Sequence, residues 1–245
     1  VCMKRLWIWL IVLVVMTVLF FDCRKTIQIL ETSGAAGNIG RKTAEVIAGK
    51  GMLNLVQDSM EHPVVALTFD DGPSSRYTPE LLDGLKERGV KASFFLVGKN
   101  IEENSDLIRR MEAEGHLIGN HTYNHVQLDK ISDASAREEI LKTNNAIYEV
   151  TGRYPQYMRP PYGAWKKNME ICVEMLPVFW TIDTLDWKTK NVQAVCQVVE
   201  KEIEDGAIIL MHDEYETTVN AALKIVDEYQ EKGYEFVTVD RLILP

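Results

Sequence analysis

The chain has 245 residues, of which 46% are apolar, enough for one sizeable globular domain with a core and an appendage. Its net charge of -9, with no basic stripe anywhere along it, argues against nucleic acid as a partner. Four cysteines are too few for a disulfide scaffold, and Cys172 and Cys196, on what read as successive helices, leave a single bridge or two free thiols as open alternatives.

The N-terminal end differs in kind from the rest. After Lys4 and Arg5, Leu6 through Phe21 are sixteen residues without a charge or a helix breaker, closed by Asp22. Residues 6–22 therefore read as a signal-anchor or signal-peptide helix behind a cytoplasmic tip of residues 1–5. No small-x-small cleavage site follows closely, which favours an anchor, while the shortness of the run keeps cleavage open. The expected location is the cell membrane, single-pass with the following domain extracellular, or secretion if the segment is removed. Residues 23–60, with Gly34, Gly37, Gly40, Gly49 and Gly51 and no sustained periodicity, read as a stalk or linker.

From residue 61 to 245 the pattern becomes regular, with short apolar runs alternating with amphipathic stretches. Seven strands are predicted: Val64–Phe69, Ala92–Val97, His116–Asn120, Gln156–Arg159, Val178–Ile182, Ala207–Met211 and Glu235–Val239. Thr78, Pro79 and Glu80 supply a cap and a first-turn proline for a helix stopping at Gly89, and another helix runs from Asp133 to Gly152. In the last helix Ala222, Ile225, Val226 and Tyr229 share one apolar face. Alternation of strands and helices implies an α/β fold with a parallel sheet, either open or closed into a barrel.

The unusual residues choose between those two forms. Asp70 and Asp71 follow the first predicted strand, His121 the third, Arg159 the fourth, Asp183 the fifth and His212 the sixth. Every one lies at a C-terminal strand end, and a barrel gathers all such ends on one face.

Their chemistry is that of a metal site with a spare base. Asp71, His121 and His125 offer one oxygen and two nitrogens, a set suited to zinc, and three protein ligands leave a position open for water. Asp70, its neighbour at the Gly72-Pro73 turn, is then free to take a proton. In Met158-Arg159-Pro160-Pro161-Tyr162-Gly163 the paired prolines impose a rigid exit, shaping a pocket wall from which Arg159 can orient a carboxylate. His212, paired with Asp186, can be held protonated as a general acid.

Thr-Phe-Asp-Asp-Gly-Pro, His-Thr-x-x-His, Arg-Pro-Pro-Tyr-Gly, Asp-x-x-Asp-Trp and Leu-x-His resemble, in order and spacing, the five motifs of the polysaccharide deacetylase family, the NodB-homology domain of carbohydrate esterase family 4. The resemblance covers about residues 61 to 242 and no motif departs from the pattern. It implies a distorted (β/α)7 barrel of the TIM-barrel kind and a hydrolase of linear amides, which are carbon-nitrogen bonds other than peptide bonds. It further implies Asp70 as catalytic base oriented by Arg159, and Asp71, His121 and His125 as ligands of a divalent ion, zinc first, with cobalt, manganese or nickel also suited. The Tyr162 backbone amide is implied as an oxyanion donor and His212, tuned by Asp186, as the acid. Pro161, Tyr162, Trp187 and Leu210 are implied to line the substrate pocket, and Asp183 to support the site from behind. The expected substrate is a cell-wall polysaccharide, foremost N-acetylglucosamine of peptidoglycan. Chitooligosaccharide, N-acetylmuramic acid and acetylated xylan stay open, as does a glycan-binding module with a structural metal.

Overall fold

The computed structural model describes residues 62–165 and 173–243, all within one compact unit. The apolar run, the stalk and Cys172 lie outside the described residues. Among those described, no helix is long and apolar enough to cross a membrane.

Eight short strands form the sheet: β1 (Val64–Asp70), β2 (Ser93–Leu96), β3 (Leu117–Asn120), β4 (Tyr157–Met158), β5 (Leu176–Pro177), β6 (Ile182–Asp183), β7 (Ile208–His212) and β8 (Glu235–Phe236). Every pairing is parallel, in the order β5-β4-β3-β2-β1-β7-β6, with β8 added to the start of β1. Parallel strands are covered on both faces, which is why β1 reads as a nearly unbroken apolar run with six of its seven residues buried. No ladder joins β5 to β6 among the described residues, so the sheet curls into a half-barrel, the distorted form of the expected (β/α)7 barrel.

Around it lie α1 (Tyr77–Glu87), α2 (Ser105–Ala113), α3 (Asp133–Thr151), α4 (Asp186–Thr189), α5 (Val192–Glu202), α6 (Glu216–Glu231) and α7 (Asp240–Ile243). The expected bounds of α3 hold: Ser132 accepts from Ser135 N–H at 3.1 Å, and Gly152 leaves the helix with a φ of 73°. Ala222, Ile225, Val226 and Tyr229 of α6 are buried together against the sheet, as their spacing predicts. Cys196, on α5, is a buried free thiol.

Two expectations are corrected. The predicted fifth strand, Val178–Ile182, is instead two two-residue strands separated by Val178 to Thr181. Its interruption has a physical cause, because the Val178 and Phe179 carbonyls accept from the buried Arg159 guanidinium (3.3 and 3.4 Å) rather than from a neighbouring strand. Thr78 is not the cap of α1, which begins one residue earlier; its hydroxyl accepts from Ser74 N–H and donates to the buried Asp213 carboxylate.

Candidate active site at the C-terminal rim

The register of the sheet brings the motifs together. Asp70 lies opposite His212 in the β1–β7 ladder, and Asn120, which precedes His121, lies opposite Met158, which precedes Arg159. The ends of β1, β3, β4 and β7 thus converge at one rim.

Asp71 leaves β1 with a φ of 74°, a conformation that costs a non-glycine residue and persists only where its surroundings over-determine it. Here the Asn100 side-chain amide donates to the Asp71 carbonyl (3.0 Å) and Val97 N–H donates to the Gly72 carbonyl (3.1 Å). The result is a carboxylate aimed at two imidazoles. Asp71 Oδ1 lies 3.4 Å from His121 Nε2 and 3.2 Å from His125 Nε2. Tetrahedral coordination with bonds near 2.0–2.2 Å separates ligands by roughly 3.3 Å, so the spacing suits one shared ion. Asp71 Oδ1 is also buried, with no hydrogen-bond partner among the described residues.

The second ring nitrogen of His121 fixes its role. Nδ1 donates to the Arg159 carbonyl at 2.6 Å, which leaves Nε2 with its lone pair facing Asp71. Burial holds the His125 imidazole below its ordinary pKa against the pull of Asp71, favouring the neutral form that binds metal. Burial opposes ionisation of Asp71, yet its place beside His121, His125 and His212 outweighs that and holds its carboxyl below the usual range. The residues present therefore fit a divalent ion. The histidine pair sits on a loop rather than a helix, with left-handed backbone at Thr122 (φ 60°) and His125 (φ 56°). Asn120 Oδ1 accepts from Thr122 N–H (2.7 Å), and the Glu139 carboxylate accepts from the Tyr123 and Asn124 N–H groups (3.0 and 2.8 Å).

Asp70 stands beside this cluster, with Oδ2 3.7 Å from His121 Nε2. Its other oxygen accepts from Arg159 Nη1 at 2.8 Å. Arg159 is fully buried, its Nη1 also donating to Thr68 Oγ1 (2.6 Å) and its guanidinium lying 4.3 Å from the centre of the Phe95 ring. Such a charge is tolerated because every face has a partner. Thr68 passes the chain on by donating to the Ile209 carbonyl at 2.7 Å.

On the far side, His212 Nε2 reaches within 4.0 Å of Asp71 Oδ2. Its Nδ1 donates to Asp186 Oδ1 at 2.8 Å, while Asp186 Oδ2 accepts from His212 N–H (2.8 Å) and the Thr218 hydroxyl (2.7 Å). Burial opposes charge on His212, but the hydrogen bond and charge of Asp186, joined by Asp70 and Asp71, lift its pKa to about 9. Asp183 Oδ1 accepts from Leu185 N–H (3.0 Å) and so shapes the turn into Asp186.

The predicted pocket residues divide by exposure. Pro161 is buried and starts the tight turn in which Tyr162 takes a φ of 60°, with its ring 4.8 Å from His125. No acceptor takes the Tyr162 N–H among the described residues. Tyr162 and Trp187 remain 68% and 48% exposed, enough surface to meet a polymer, whereas Leu210 is buried in β7. Trp165 packs against the cluster of Leu128, Ile140 and Met158 and is thereby a core-facing aromatic.

Residues 57–177 match the model of the polysaccharide deacetylase family. A chitooligosaccharide deacetylase of Bradyrhizobium is 34% identical over 73% of this chain and 90% of its own length. This chain belongs to the polysaccharide deacetylase family. Peptidoglycan-N-acetylglucosamine deacetylase PgdA of Listeria monocytogenes is 44% identical over 178 residues, 73% of this chain. That stretch is 38% of the Listeria protein, so the chain spans well under half the length of this relative. The solved peptidoglycan deacetylase PdaC of Bacillus subtilis superposes with a TM-score of 0.72 at 35% identity, over 74% of this chain and 90% of that one.

Within this member of the polysaccharide deacetylase family, sequence reasoning missed the supporting residues. Asn100, Thr68, Thr218 and Glu139 each hold a predicted site residue or its loop, yet none stands out as a side chain type in its local sequence. Thr68 alone had a signal, as a hydroxyl two residues before Asp70 on the same strand face.

Proposed function

We propose that this domain removes N-acetyl groups from a cell-wall polysaccharide, with N-acetylglucosamine of peptidoglycan as the substrate and zinc as the ion. The observation that carries the reading is the convergence of Asp71, His121 and His125 on one point, flanked by Asp70 on one side and His212 on the other. A structural metal site needs neither of those two flanking groups.

A divalent ion held by Asp71, His121 and His125 would supply a Lewis acid for the amide carbonyl. Arg159 pins one oxygen of Asp70, leaving the other to accept a proton from the attacking water as its oxygen bonds to the carbonyl carbon. The Tyr162 N–H, which finds no acceptor among the described residues, donates to the oxyanion that develops. Asp186 keeps the His212 Nδ1–H engaged, so that Nε2 carries the proton that passes to the nitrogen when the carbon-nitrogen bond breaks. Exposed Tyr162 and Trp187 flank the sugar, while buried Pro161 and Leu210 give the pocket a fixed wall.

The relatives named as acting on peptidoglycan support the substrate, and the uncharged run from Leu6 to Phe21 supports a domain tethered outside the cytoplasm. The deciding experiment compares acetate release from peptidoglycan, chitooligosaccharide and acetylxylan. Release from peptidoglycan with new glucosamine amines is expected. Release from acetylxylan alone would make the domain an esterase instead.

A further inference from the structure

The deacetylase mechanism leaves one buried carboxylate unused. Asp213 follows His212 directly, is fully buried, and has an Oδ1 with no hydrogen-bond partner among the described residues. A half-satisfied carboxylate in a dry interior is a poor device for stability, since a well-packed apolar side chain does that better. Its surroundings indicate another use.

Because Asp70 and His212 are opposite one another in the ladder, the residues that follow each of them emerge side by side. The Asp213 carboxylate lies so close to Gly72 that a Cβ there would overlap both of its oxygens. Glycine is therefore imposed at this position by the carboxylate, not by a left-handed φ. Oδ2 accepts from the Thr78 hydroxyl, which in turn accepts from Ser74 N–H at 2.8 Å. One carboxylate thus reaches the turn after Asp71 at both Gly72 and Ser74. Asn100 and Val97 hold the same turn through the Asp71 and Gly72 carbonyls. Together they enclose the strained Asp71.

We propose that Asp213, clamped by Thr78, is a positioning residue that sets the Asp71 carboxylate for metal binding. The inference rests on the metal-site reading above, and the test separates the two. Purified apoprotein is titrated with Co2+, reading affinity and the cobalt absorption spectrum, alongside its melting temperature. Asp213→Asn and Thr78→Val are expected to weaken Co2+ binding about 10-fold to 100-fold, the range for residues that orient a ligand. Thr78→Ser, which keeps the hydroxyl, is expected to bind within about threefold of wild type. The Asp213→Asn and Thr78→Val losses should also be non-additive in the double variant, because they act through one hydrogen bond.

Unchanged Co2+ affinity in folded Asp213→Asn and Thr78→Val, with only a lower melting temperature, would overturn the proposal by assigning the pair to the fold alone. Failure of both variants to fold would count against it in the same way. A wild-type apoprotein that binds no Co2+ would instead remove the metal site itself.

Discussion

Replacing Arg159 with lysine perturbs the proposed base, Asp70, while keeping the positive charge beside it. Among the described residues the guanidinium makes four hydrogen bonds: with Thr68 Oγ1 (2.6 Å), Asp70 Oδ1 (2.8 Å) and, at longer range, the Val178 and Phe179 carbonyls (3.3 and 3.4 Å). An ammonium that keeps Asp70 gives up the two carbonyls, which lie on a different segment. Hydrogen bonds to a charged donor contribute about 1.5–3 kcal/mol each. The long carbonyl contacts belong at the lower end, so Arg159→Lys should cost about 3 kcal/mol of unfolding free energy. The same change frees Asp70 to rotate. As a positioned general base contributes about 10^2 to 10^4 in rate, turnover should fall about 100-fold. Urea unfolding of the metal-loaded protein and acetate release from one oligosaccharide measure the two effects. A variant within 1 kcal/mol of wild-type stability and about threefold of its turnover would refute the role given to Arg159.

Asp186→Asn removes the charge that keeps His212 protonated, so the alkaline limb of the activity profile should move to lower pH, and an unmoved limb would show that another group supplies the proton. His116 lies away from the rim, where burial foremost, and then Lys91, hold its pKa down to about 4. An unfolded histidine titrates near 6.5, so between those values the unfolded chain binds more protons, and the stability His116 confers is intact above about 6.5 and lost as pH falls toward 4. His116→Asn, which keeps an acceptor for the Ala92 N–H, should therefore narrow or reverse its stability difference from wild type by about 3 kcal/mol between pH 7 and pH 4. A difference that stays constant over that range would show that His116 titrates normally.

The large features of the fold were legible because each leaves a periodic trace. Apolar runs between amphipathic stretches gave the parallel sheet, and the position of Asp70, His121, Arg159 and His212 at strand ends gave the rim that the ladder registers bring together. The fifth strand was misplaced because its interruption comes from Arg159, nineteen residues before Val178, whose guanidinium takes up carbonyls that a local pattern assigns to a ladder. Thr78 misled for a similar reason: a threonine before Pro79-Glu80 is a good cap by type, but its partner is Asp213, 135 residues away. Asn100 and Thr218 each act on the site through one long-range hydrogen bond and Glu139 through its bonds to Tyr123 and Asn124, and none of the three leaves a pattern of spacing. Left-handed backbone at Asp71, Thr122, His125 and Tyr162 was equally hidden, since none of these is a glycine.

The separation of metal holding from proton transfer is tested most directly by Asp70→Asn, with bound metal and acetate release determined on the same preparation. One ion per chain in both proteins, with release by wild type only, is the expected result. Wild-type-like release by the metal-loaded variant would contradict the account.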